Sequence, residues 1–154
     1  MRFVPTLAIA SVLSLAGVLA QAQEDPFADV VETRHGLMLQ MSVDLAKIGA
    51  MVKGEASYDA AIAAKAAANI AAVASVLSMD QFPAGSENGK AGDSFAKAEI
   101  WTNEQDFLAK IAELNKAAAD LQAASGDGAT LKAGMAGLGK ACAACHSTYR
   151  MEEN

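Results

Sequence analysis

The chain has little from which to build a sheet. Clusters of β-branched residues are missing, and no stretch alternates apolar with polar residues. After the N-terminal leader the only prolines are Pro26 and Pro83. This excludes a β-fold and favours long helices. Cysteine and histidine are scarce, at two each. A zinc site needs a fuller set of ligands than one short cluster offers. A di-iron bundle needs repeated Glu and Glu-x-x-His ligands, and that pattern is absent. Cations are also few: 12 Lys+Arg stand against 18 Asp+Glu, for a net charge of −6. Such a balance argues against nucleic acid and against anionic membranes as partners. Beyond residue 22 no apolar run reaches the roughly 20 residues of a membrane-spanning helix.

The first 22 residues read as an export signal. Arg2 gives a positive start, residues 7–19 are apolar or small, and Ala20-Gln21-Ala22 is a small-x-small cleavage site. The expectation is cleavage before Gln23 and one domain over residues 23–154, exported to a periplasm and carrying no membrane anchor. Removing Arg2 makes the mature chain one charge more negative. Export also places the cysteines where a disulfide is permitted.

Four stretches carry helical periodicity. The first, 27–52, has the apolar stripe Leu37, Met38, Met41, Leu45, Ile48 and Val52, and Gly54 ends it. The second, 57–77, opens at Ser57-Tyr58-Asp59 and turns Ile62, Ala66, Ile70, Val73 and Leu77 inward. Residues 78–102, with Phe82-Pro83, Gly85, Gly89 and Gly92, read as a long loop. The third, 103–124, turns Phe107, Ile111, Leu114, Ala118 and Leu121 inward. The fourth, 130–152, turns Leu131, Met135, Leu138, Cys142, Cys145, His146 and Tyr149 to one side. Two short connections and one long one predict an all-α fold, an antiparallel four-helix bundle.

The chemistry sits in Cys142-Ala143-Ala144-Cys145-His146. C-x-x-C-H is the attachment signature of a c-type haem: two thioethers hold the ring, and the histidine is the proximal iron ligand. On a helix these positions are related by three and four residues, so they share a face. The competing readings are a disulfide and a metal site. Cysteines at i, i+3 within a regular helix are poorly placed for a disulfide. Redox C-x-x-C motifs usually open a helix after a strand, and none precedes this one. One covalent haem c near the C-terminus is therefore expected.

This C-terminal motif, extended to Gly139 and to Tyr149-Arg150, resembles that of the class II cytochromes c, which are cytochrome c′ and its low-spin relatives. Arg34 four residues before Met38, Lys53-Gly54, Tyr58-Asp59, Phe82-Pro83-x-Gly85-Ser86 and Ile100-Trp101 stand in the order of that family. The resemblance implies roles. His146 would be the proximal ligand, with Arg150 near the exposed proximal side. Arg34 would pair with a haem propionate, against the alternative of a solvated surface arginine. Ser86 and Glu87 would contact the haem from the loop. Tyr149 would pack on the haem or the first helix, Trp101 would anchor the loop, and His35 would stay partly exposed. Family members often dimerise through the first two helices, so a homodimer is a further expectation.

Met38 takes the distal position of that pattern. In the low-spin relatives a methionine here ligates the iron, and the protein carries electrons between redox partner proteins. In cytochrome c′ the distal residue only packs over a five-coordinate iron, which then binds nitric oxide or carbon monoxide. Met41 would serve instead if the helix shifted. The leading expectation is a periplasmic single-electron carrier with Met38 as sixth ligand, not an enzyme, since no nucleophile–base pair or second haem-side histidine stands out. The alternative is the gas-binding, high-spin form.

Overall fold

Most of the long helices start or stop where the sequence supplies a cap. In the computed structural model, which describes residues 25–152, helix α1 (Ala28–Lys53) ends on Gly54. That residue is left-handed at φ 76°, and its N–H reaches the carbonyls of Ala50 and Met51. Helix α2 (Ala60–Val76) starts under Asp59, whose Oδ1 accepts from the N–H of Ala61 and Ile62. Helix α4 (Glu104–Ala124) is joined to α5 (Gly128–Tyr149) by a short turn, and Asp127 caps α5 by accepting from Thr130 N–H. The expected signal peptide, its cleavage site after Ala22 and the first two residues of the expected mature domain lie outside the described residues.

The four long helices match the sequence expectation, with three differences. α2 begins at residue 60, because Asp59 and not Ser57 is the capping side chain. The 78–102 segment holds a 3-10 turn, Met79–Gln81, and a short helix α3 (Glu99–Thr102) that buries Ile100. α5 ends at Tyr149 and does not run on to Glu152. There the tail pairs with the loop: Met151 N–H donates to the Phe95 carbonyl (2.8 Å) and Lys97 N–H to the Tyr149 carbonyl (2.9 Å).

Among the long helices the packed pairs are α1 with α2, α2 with α4, α4 with α5, and α5 with α1. They close a ring, so the fold is an antiparallel four-helix bundle. Among the described residues no strand forms, only two isolated bridges. The main core runs through Ile48, Ile70, Leu121, Leu131 and Leu138, all at 1% exposure or less. Each such burial contributes roughly 1.5–3 kcal/mol. α2 faces this core mostly with alanine: Ala63, Ala66, Ala67 and Ala74 are buried. α4 and α5 approach so closely that a Cβ on Gly134 would lie 3.1 Å from Leu121 Cα. A second cluster of Ala96, Ile100, Phe107 and Tyr149 lies under the long loop.

A carboxylate is buried beside this core. Asp44, fully buried on α1, accepts from Gln40 Nε2 (2.7 Å), Lys47 Nζ (2.8 Å) and Asn69 Nδ2 (3.1 Å). Burial pushes its pKa up, but the three donors and the Lys47 charge outweigh this and hold it below the ordinary value. A depressed carboxylate pKa stabilises the fold above the unfolded value, near 3.9. That stability is lost as pH falls through the folded value. The urea midpoint should therefore drop when pH is lowered from about 5 to about 2. Asp44→Asn should lose less over the same range; an equal loss would remove Asp44 from the acid response.

Candidate functional site

The last two turns of α5 carry Cys142, Cys145 and His146. Cys142 is half-buried and packs against the main core, beside which Met38 of α1 also packs. Cys145, half-buried, packs against the second cluster. The motif thus spans the seam between the two cores. No disulfide joins the two cysteines. Burial raises the pKa of Cys142, and burial with the neighbouring Cys142 pushes Cys145 up to about 11. Such thiols are protonated at neutral pH, unlike the low-pKa thiols of redox C-x-x-C sites. Among the described residues no three histidine, cysteine or carboxylate side chains are grouped as they would be around a bare metal ion.

His146 departs from the expectation of an inward face. It is exposed and lines a cavity of about 320 Å³ with Lys97, Ser147, Arg150, Met151 and Glu152. At about 100° from Cys145 and about 40° from Cys142, the imidazole stands at the edge of the face the two cysteines share. Its pKa is lowered, first by desolvation and then by the Arg150 charge. Arg150 caps α5 through its N–H to the His146 carbonyl, and its guanidinium lies 5.4 Å from the centre of the Phe95 ring.

Arg34 is buried at 6% exposure, which excludes the solvated-surface reading. Nη1 donates to Ser86 Oγ (3.2 Å), and Nη2 to the Ser86 carbonyl (3.1 Å) and Ser94 Oγ (3.3 Å). The guanidinium also lies 5.1 Å from the Phe82 ring centre. Desolvation lowers its pKa. Glu87 is turned to Lys90, its salt-bridge partner, and that contact is the main reason its pKa is lowered. Ser94 carried no signal in the sequence, being one serine in a polar loop.

Tyr149 is buried against α4, not α1. Its hydroxyl donates to Asp106 Oδ2 (2.6 Å), and its ring meets Phe107 edge-on at 5.1 Å. Burial and that carboxylate push its pKa up to about 12. Trp101 anchors the loop as expected, with Nε1 donating to the Phe82 carbonyl (2.9 Å). His35 is exposed, with its ring 6.2 Å from that of Phe95.

A protein-family model described as Cytochrome C′ matches residues 29–150. The chain belongs to the cytochrome c′ family. It is 46% identical to cytochrome c-554 of Cereibacter sphaeroides, over 99% of this chain and 100% of that one. It is 41% identical to cytochrome c-556 of Agrobacterium tumefaciens, over 82% of this chain and 100% of the other. Among solved structures it resembles a cytochrome c′ of Alcaligenes xylosoxidans with bound nitric oxide. The TM-score is 0.73 at 27% identity, covering 82% of this chain and 97% of that one.

Membership makes this a haem protein and implies covalent haem c. The residues present fit that group. Two cysteines and an accessible imidazole occupy adjacent turns of one helix, at an apolar seam. Arg34 adds an independent sign. Among the described residues every buried side-chain polar atom has a hydrogen-bond partner. The three bonds of Arg34 all end on neutral oxygens. What this buried cation needs is a counter-charge, and a carboxylate such as a haem propionate has the right sign and shape. Replacing both Cys142 and Cys145 by alanine should free the haem from denatured protein, read as lost haem staining on a denaturing gel. Staining that survives the double substitution would refute attachment through these residues.

Proposed function

We propose that this protein is a periplasmic carrier of single electrons, with one haem c on Cys142 and Cys145, His146 as proximal ligand and Met38 as sixth ligand. When bound, the haem supplies the one-electron couple. The residues do the rest. Cys142 and Cys145 would hold the ring covalently. Arg34, held by Ser86 and Ser94, would offer its charge to a propionate. Met38 would supply a thioether ligand, which favours electron transfer over gas binding. Arg150 flanks the proximal side, and Glu87 borders the same loop.

The observation that carries this reading is the placement of Met38. It is half-buried, sits on the helix that packs against α5, and adjoins the core that Cys142 also adjoins. The names cytochrome c-554 and c-556 among the relatives, as distinct from cytochrome c′, also favour an electron carrier. No enzymatic reaction is proposed; the partners are redox proteins that dock at the haem edge. Among the described residues no helix is long and apolar enough to cross a membrane. A homodimer through α1 and α2 suits their exposed Leu39, Val43, Ile62 and Val76.

The second reading is a gas-binding, five-coordinate cytochrome c′ in which Met38 only packs over the iron. The nitric oxide in the structurally similar Alcaligenes protein favours it. Absorption spectra of the oxidised and reduced protein, with and without carbon monoxide, separate the two. The expected result is low-spin bands indifferent to carbon monoxide, converted by Met38→Ala to high-spin bands that shift with the gas. Wild-type bands that are already high-spin and gas-sensitive would replace the carrier by the gas-binding module.

A further inference from the structure

The face that α2 turns to α1 is nearly smooth. Apart from Ile70, its buried residues are alanines, and alanine ridges give a neighbouring helix few knobs to lock on. α1 meanwhile carries methionines at 38 and 41. Sliding α1 by three residues, about 4.5 Å, with a turn of about 60°, would bring Met41 to the place of Met38. The alanines of α2 add few steric keys to this register, beside Val73 on the same core and Gly49 of α1, where a Cβ would come within 3.3 Å of Met135 Cε.

Asp44 discriminates strongly. Among the described residues, the bond from Asn69 Nδ2 to Asp44 Oδ2 is the one side-chain hydrogen bond between α1 and α2. Gln40 and Lys47, on the same helix as Asp44, move with it in any slide. Asn69 does not, so a one-turn slip would take one of its three donors from a fully buried carboxylate. Arg34 ties α1 to the long loop and not to α2, so it bears on the register of α1 against α2 only through that loop.

We propose that Asp44 is a positioning residue that fixes the register of α1 on α2, and so selects Met38 over Met41 as the side chain above the haem iron. This rests on the reading of Met38 as the distal residue. Asp44 acts through α1: its partners are Gln40, Lys47 and Asn69. A buried polar contact that sets register at some cost in stability is a well-attested use of such groups. The carboxylate matters here as a partner for Asn69 and as a penalty on every other register.

The test uses the haem-loaded protein and proton NMR of the haem methyl groups, which counts distal arrangements whatever the spin state. Wild type and Asp44→Asn, which keeps a partner for Asn69, should each give one set of resonances. Asp44→Leu should give a second set of at least about one-tenth of the total, and adding Met41→Ala should remove it. Thermal melts confirm that each variant is folded. Should Asp44→Leu fail to fold, Asn69→Leu removes the same contact from the other side and should split the resonances likewise. One unchanged set in a folded Asp44→Leu or Asn69→Leu protein overturns the proposal. The wild-type absorption spectrum reads Met38 ligation separately, so failure of that reading stays distinguishable from failure of this one.

Discussion

A guanidinium taken out of water must be surrounded by acceptors, and the long loop has its shape because Arg34 needs them. Ser86 and Ser94 close on it from two sides, and Ser94 Oγ also donates to the Ser86 carbonyl at 2.6 Å. That cross-link draws residues 86–94 into a tight arch, braced where Asn88 Nδ2 reaches the Ser94 carbonyl. The arch sets the path of Phe95 and Lys97, which bond to Met151 and Tyr149 just past and at the end of α5. One buried charge on α1 therefore governs how the far end of α5, with His146 three residues before its last, is held. Losing those acceptors would disturb both sides of the haem site at once.

The site divides its tasks between elements of different character. α5 carries Cys142, Cys145 and His146 on a helix gripped by α4 through Tyr149, Asp106 and Phe107. α1 carries Met38 and the buried cation Arg34. Cys142 and Cys145 look into different cores, so a ring held by both would couple two packing units that otherwise meet only at their margins. The cofactor would then be a structural member of the fold as well as its redox centre.

Much of this was legible in the sequence, for identifiable reasons. Apolar steps of three and four located the four long helices, and C-x-x-C-H with the motifs around it pointed to the family. What stayed hidden depends on contacts between residues distant in the chain. Asp44 interrupts an apolar stripe and reads as an exposed position; only Asn69, 25 residues on, explains its burial. Ser94 gains its role from Arg34, 60 residues earlier. The end of α5 was misplaced because Arg150 and Met151 suit a helix well enough locally, and Phe95 and Ala96 of the distant loop pair with them instead. His146 was assigned inward with the cysteines, although it stands at the edge of the face they share and is exposed.

The alanine face of α2 bears on how the chain folds. Alanine loses no side-chain entropy on burial and has the highest intrinsic helix propensity. A 17-residue segment so composed, capped by Asp59, spends much of its time helical before any neighbour arrives. It offers the other helices a nearly preformed rod, and ordering it adds little to the folding barrier. The entropic cost of assembly falls instead on the arch around Arg34, whose contacts span 52 and 60 residues. The loop, with the least regular structure, is therefore the part of the chain whose closure is slowest to be rewarded.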